Sequence, residues 1–199
     1  MPNKRVITTK GKNQEKMRTN QFDQFRAVAF CQNDIAHTLP LINNCVCSGR
    51  TVFLCGDGEN AKFLKQIKAV LSKGFSRHTS VKGKKLPVLL PLIPVFSLTG
   101  AQIFVTYCKT ILSKVKQGDV VIFVNTSETD GKRVAEVAKS VKAHGAVVIY
   151  LTNLTGNTLR SAFDACICVP SFIEKQVEEY QRYVCRALSE SIKLFEFDM

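Results

Sequence analysis

Apolar residues recur at three- and four-residue steps from about residue 20 to 46, through Phe22, Phe25, Val28, Ala29, Ile35, Leu39 and Ile42. That spacing predicts one long amphipathic helix, with Pro40 as its candidate kink. The period then changes. TVFLC (51–55) is a short β-branched run that ends in Gly-x-Gly, and Phe63, Ile67, Val70 and Leu71 return to helical spacing over 60–73. After a basic Gly/Ser connection come PVLLPLI as a buried strand, a helix over 100–116, and DVVIFV (119–124) as a second continuous apolar strand. The polar stretch NTSETDG leads into a helix over 131–144 with Val134, Val137, Ala138 and Val141 on one stripe, which Gly145 closes as a C-cap. AVVIYL (146–151), a short helix near 157–163, ACICVP (165–170) and a last helix over 171–197 complete the chain. Five apolar strands alternating with helices predict a three-layer α/β/α sandwich around a five-stranded parallel sheet.

The chain has 199 residues, 45% of them hydrophobic, which suits a single domain over 20–199 behind a basic flexible tail at 1–19. Mean hydropathy is +0.02, and the apolar stretches are shorter than the roughly 20 residues a bilayer helix needs. The opening MPNKRVITTKGKNQEKMRTNQ holds no apolar core of a secretion signal, so the expected location is the cytoplasm. The eight cysteines agree, since several lie inside apolar runs where Cys packs as a small hydrophobe. Neither Cys-x-Cys pair has zinc-site spacing, and His37, His78 and His144 stand far apart, so no metal or other cofactor is expected.

Lys and Arg outnumber Asp and Glu by 28 to 16, a net charge of +12. The excess invites a nucleic-acid partner, but its distribution argues against one. Part lies in the tail, and part in an acid-free stretch from Lys62 to Lys85 whose aromatics are only Phe63 and Phe75, a thin platform for base stacking.

In parallel sheets ligands bind beyond the carboxyl ends of the strands. Two loops fall there: Gly56, Asp57, Gly58, Glu59 and Asn60 after the first strand, and Asn125, Thr126, Ser127, Glu128, Thr129 and Asp130 after DVVIFV. Short polar residues and free backbone N–H groups at a helix start suit a phosphate. The same residues also serve as simple N-caps. Of these, Gly56, Asp57, Gly58, Asn60, Asn125, Thr126, Ser127 and Asp130 are the candidate phosphate ligands.

The two loops, with VPS at 169–171 and EKQVEEYQRYVCR at 174–186, resemble the sugar isomerase (SIS) domain in the branch of phosphoheptose isomerase and the initiator-associating proteins. Their counterparts there are CGNGGS, STSGNS, VPS and a Gln/Glu-rich last helix, in the same order over residues 20–199. The resemblance implies a flavodoxin-like sandwich, sugar-phosphate binding by the two loops, and a homotetramer built on the first and last helices, whose broad apolar faces offer Phe22, Phe25 and either Tyr180 or Tyr183 as contact residues. Zinc occurs in the family, but its ligands are not evident in this chain.

Catalysis in the family uses a Glu on the helix after the first loop and a His on the last helix, to take and return a proton. Val70 and Arg186 stand at those positions, and Glu178 stands where the family has Gln. Valine takes no proton and arginine keeps its own near neutrality. An acid and a base are each worth roughly 10² to 10⁴ in rate, so the expected protein binds or regulates without isomerising, and a protein partner belongs to that reading. The alternative is an active sedoheptulose 7-phosphate isomerase whose acid and base have moved, with Glu178 first and Glu179, Asp57 and His78 behind it. Glu59 and Asp130 also replace small family residues. A carboxylate about 5 Å from a phosphate charge costs about 3 kcal/mol at an effective dielectric of 20, so they weaken binding if they face the ligand.

Overall fold

The computed structural model describes residues 21–56, 61–75, 109–126 and 131–194. Helix α1 (21–30) and helix α2 (Gln32–Cys47) replace the single helix expected over 20–46, and the interruption falls at Cys31 rather than Pro40. At Cys31 the backbone leaves helical geometry (φ −89°, ψ 7°) where the fully buried thiol donates to the carbonyl of Cys168. The helix runs through Pro40 because Ala36 and Pro40 both lie toward its outer side, so the carbonyl that loses its partner faces solvent.

Strand β1 (Val52–Gly56) leads to α3 (Ala61–Phe75); a helical turn at 109–112 precedes β2 (Val120–Val124), α4 (Gly131–Ala143) and β3 (Val147–Thr152). A 3₁₀ helix (Leu154–Ala162), tighter and longer than the short helix expected near 157–163, leads to β4 (Ala165–Cys168), and α5 (Glu174–Leu194) follows. Gly145 has φ +78°, the left-handed C-cap its position after α4 predicts. The strands pair in the order β1-β2-β3-β4, all parallel. The sheet of the described residues thus has four strands, not five. The expected fifth, PVLLPLI, lies outside the described residues, as do 100–108 of the helix expected over 100–116.

Successive strand residues feed two separate apolar clusters, because side chains alternate across a pleated strand. Leu54, Ile122, Ile149 and Ile167 pack with α1, α2, α3 and α5, whereas Phe53, Phe123, Tyr150 and Cys166 pack with α4, Phe163 and Ile111. Burial on both faces explains why the strands read as continuous apolar runs. Helices α3 and α5 run side by side in parallel: Arg182 lies over the Phe63 ring, and seven residues further along each helix the Ser189 hydroxyl donates to the Val70 carbonyl.

At the outer edge of β4, α2 covers backbone that would otherwise be free to pair. Asp34 accepts from Cys168 N, and the His37 ring lies 3.1 Å from the Asp164 carbonyl. Arg160 from the 3₁₀ helix holds Asp34 with two bonds of 2.8 and 3.1 Å.

Candidate functional site

Gly56 ends β1 and pairs in register with Val124, the last residue of β2, so the loops that follow the two strands start side by side. Gly56 has to lack a side chain. A Cβ there would stand 2.9 Å from the Val124 carbonyl oxygen and 2.7 Å from Leu64 Cδ1. Beyond this point Asp57, Gly58, Glu59 and Asn60 of the first loop, and Ser127, Glu128, Thr129 and Asp130 of the second, lie outside the described residues. His78 does as well.

Asn125 and Thr126 continue from β2, and both are buried. Asn125 is gripped from the two faces of the sheet. On one side its amide nitrogen donates to the Tyr150 hydroxyl at 3.0 Å; burial pushes the Tyr150 phenol up, so it stays neutral, and its ring stacks on Phe163 at 4.4 Å. On the other side Gln181 Nε2, from α5, donates to the Asn125 carbonyl at 2.9 Å and to the Leu151 carbonyl at 3.4 Å. The Asn125 backbone N–H goes to the Leu151 carbonyl. Asn153 reaches the Thr126 carbonyl in turn. The side chain of Asn125, expected among phosphate ligands, is therefore turned into the fold and fixes the root of the loop. Motif and spacing do not single out Gln181, Tyr150 or Asn153. Gln181 carries a signal all the same, as an uncharged polar residue on the apolar side of the last helix, three positions after Glu178.

Val70 and Arg186, which stand where the family has its proton-transfer pair, are both among the described residues. Val70 packs partly buried against the core of α3, and Arg186 is exposed on α5. Glu178 is half-buried, and its carbonyl accepts from Arg182. Glu179 accepts a 2.6 Å bond from the Tyr183 hydroxyl; burial first, and this bond second, push the Tyr183 phenol up to about 12. The VPS motif organises the turn into the last helix. Ser171 Oγ accepts from Ile173 N and donates to Gln176, whose amide donates to Tyr180, so the motif starts α5. Of the two alternatives Tyr180 and Tyr183, Tyr180 is 6% exposed within the chain and Tyr183 is half-buried. Beneath the start of α4 lies a cavity of about 200 Å³ lined by Gly131, Lys132, Tyr150, Thr155 and Leu159. Among the described residues no three His, Cys, Asp or Glu side chains converge to hold a metal ion.

No family model matches the chain. A phosphoheptose isomerase of Roseiflexus sp. (strain RS-1) is 26% identical over 154 residues, covering 74% of this chain and 76% of that protein. Among solved structures, a phosphoheptose isomerase from Neisseria gonorrhoeae superimposes with a TM-score of 0.68 at 14% identity, over 94% of this chain and 100% of that one. One from Francisella tularensis gives 0.62 at 18% identity, over 95% of this chain and 100% of that one. Sequence and fold point the same way: the chain is similar to phosphoheptose isomerases in sequence and shares their fold.

Proposed function

We propose that this protein binds a sugar phosphate between the loops after β1 and β2 and acts through that binding, without isomerising its ligand. The contrast between those loop roots and the helices α3 and α5 carries the reading. The scaffold around the loops is intact, with Gly56 beside Val124 and Asn125 held from two sides, while Val70 and Arg186 offer no group that can take a proton from carbon and return it.

Gly56, Asp57, Gly58, Asn60, Thr126, Ser127 and Asp130 form the binding set of this reading, and Asn125 is its anchor. Neither a metal nor another cofactor enters. Five strands in a three-layer sandwich, a cytoplasmic location and a domain over 20–199 belong to the same reading. So does a homotetramer built on the first helical segment (α1 and α2) and on α5; on α1, Phe22 is 64% and Phe25 71% exposed. No helix among the described residues is long and apolar enough to cross a membrane.

Titration with sedoheptulose 7-phosphate in a calorimeter, alongside an isomerase assay on the same sample, tests both halves. Heat of binding with no turnover is expected. Turnover that disappears in Glu178→Gln would overturn the non-catalytic half and identify the displaced base; absence of binding would overturn the other half.

A further inference from the structure

Cys166 and Cys168 lie two positions apart on β4, so their side chains leave the strand on the same face. Their sulfurs stand 3.5 Å apart. The Arg160 guanidinium sits over the second of them, with Nη2 3.9 Å from Cys168 Sγ, and is held in place by its two bonds to Asp34. Both cysteines are nearly covered, at 2% and 3% exposure, but among the described residues β4 is the edge strand and the Arg160 side chain is 45% exposed. Both sulfurs sit at the rim of the apolar cluster formed with Phe163 and Tyr150, and Arg160 is the exposed group that lies against Cys168. An electropositive group over one sulfur, with a second sulfur in contact, is the environment in which thiols react with oxidants.

We propose that Cys166 and Cys168 form a hydroperoxide-reactive dithiol in which Cys168 is the attacking sulfur and Cys166 resolves the product as a disulfide. Cys168 gives its proton to solvent and attacks one oxygen of the hydroperoxide. The S–O bond forms as the O–O bond breaks, and the departing oxygen takes up a proton and leaves as water or an alcohol. Cys168 is now a sulfenic acid, oxidised by two electrons. The Cys166 sulfur attacks it, the S–S bond forms as the S–O bond breaks, and hydroxide leaves with the Cys166 proton as water. Two thiols and one hydroperoxide become a disulfide, water, and a second water or an alcohol.

The division of roles follows from the contacts. Arg160 lies against the Cys168 sulfur; the bond shared with Cys166 pulls the Cys168 thiol down, burial opposes it and the Arg160 charge adds to it, whereas the same shared bond and then burial hold the Cys166 thiol well above the usual range. At about 3.3 Å of rise per residue the two Cα atoms are about 6.6 Å apart, inside the upper end of the span a disulfide bridges. This chemistry is independent of sugar-phosphate binding.

The test treats the reduced full chain, carrying Cys47→Ser to remove an exposed thiol, with hydrogen peroxide and maps the peptides by mass. The peptide holding both cysteines should lose two hydrogens and regain them with a thiol reductant. In Cys166→Ser, dimedone should label residue 168; in Cys168→Ser, residue 166 should stay unmodified. Arg160→Gln should slow the reaction by about tenfold, and Arg160→Lys should restore much of the rate. A pair that stays reduced in the folded chain but oxidises in urea would overturn the proposal, as would dimedone on Cys166 or an Arg160→Gln rate equal to the parent's. If a serine variant fails to fold, the disulfide map of the parent and the Arg160 rates still decide the matter.

Discussion

The two ends of the sheet are fastened by different chemistry. At the amino edge carboxylates hold the strands: buried Asp119 accepts from Thr51 N at 2.9 Å and Lys116 N at 2.8 Å, and Asp164 accepts from Val148 N and pairs with Lys142, both at 2.8 Å. At the carboxyl edge the fasteners are mostly neutral. Asn125, Tyr150, Asn153 and Gln181 hold the strand ends through amides and a phenol, and Asp34 beside the end of β4 is clamped by Arg160. Carboxylates bind backbone N–H groups more strongly than amides do, yet near a bound phosphate they would repel it. The difference teaches that a fold of this kind can place most of its acidic fasteners at the end of the sheet away from the candidate loops.

Breaking the amino edge should cost most. Asp119→Ala strands two backbone donors at a buried position and should lower stability by about 2 to 4 kcal/mol, read as a shift of the urea midpoint at constant slope. Asp119→Asn should fall between. A cost under about 1 kcal/mol would mean that the carboxylate is not what ties β1 to β2.

The carboxyl edge should respond differently. Gln181→Met removes the grip on Asn125 and Leu151, and with it a buried carbonyl oxygen that has no partner of its own. Stability should fall by only about 1 kcal/mol, while sugar-phosphate affinity falls about tenfold, or 1.4 kcal/mol, because the loop root is released. Equal effects on folding and binding, measured by denaturation and calorimetry, would erase the contrast between the edges.

The smallest effect belongs to Lys142→Ala. The ion pair with Asp164 is about one-third exposed on both sides, so solvent screening leaves it about 0.5 kcal/mol or less. Asp164 keeps its bond to Val148 N. A larger loss in thermal unfolding would mean that the lysine orients the carboxylate.

Much of this architecture is legible in the sequence because burial on both faces leaves an unbroken apolar run that few other structures produce. The runs at 51–55, 119–124, 146–151 and 165–170 form β1 to β4, and the Val134–Val141 stripe forms the buried side of α4. The break in helical geometry at Cys31 is not legible, since apolar periodicity continues through it and the partner of its thiol, Cys168, lies 137 residues away. Asn125 misleads for a related reason. A polar residue after a strand looks like a ligand-binding group, and only the arrival of Tyr150 and Gln181 from two other elements shows that it is spent inside the fold.

By itself the sequence determined the alternation of strands and helices and the need for cover on both faces of the sheet. These depend on residue type and local spacing, which the chain carries in full. The tertiary structure decided which polar groups are spent on the fold: Asp119 between β1 and the turn before β2, Asp34 against Arg160, Gln181 against the root of the candidate loop, Cys166 against Cys168. A polar side chain's role is set by the partner it meets, and apart from the two cysteines, placed together by the pleat of one strand, these partners come from distant parts of the chain.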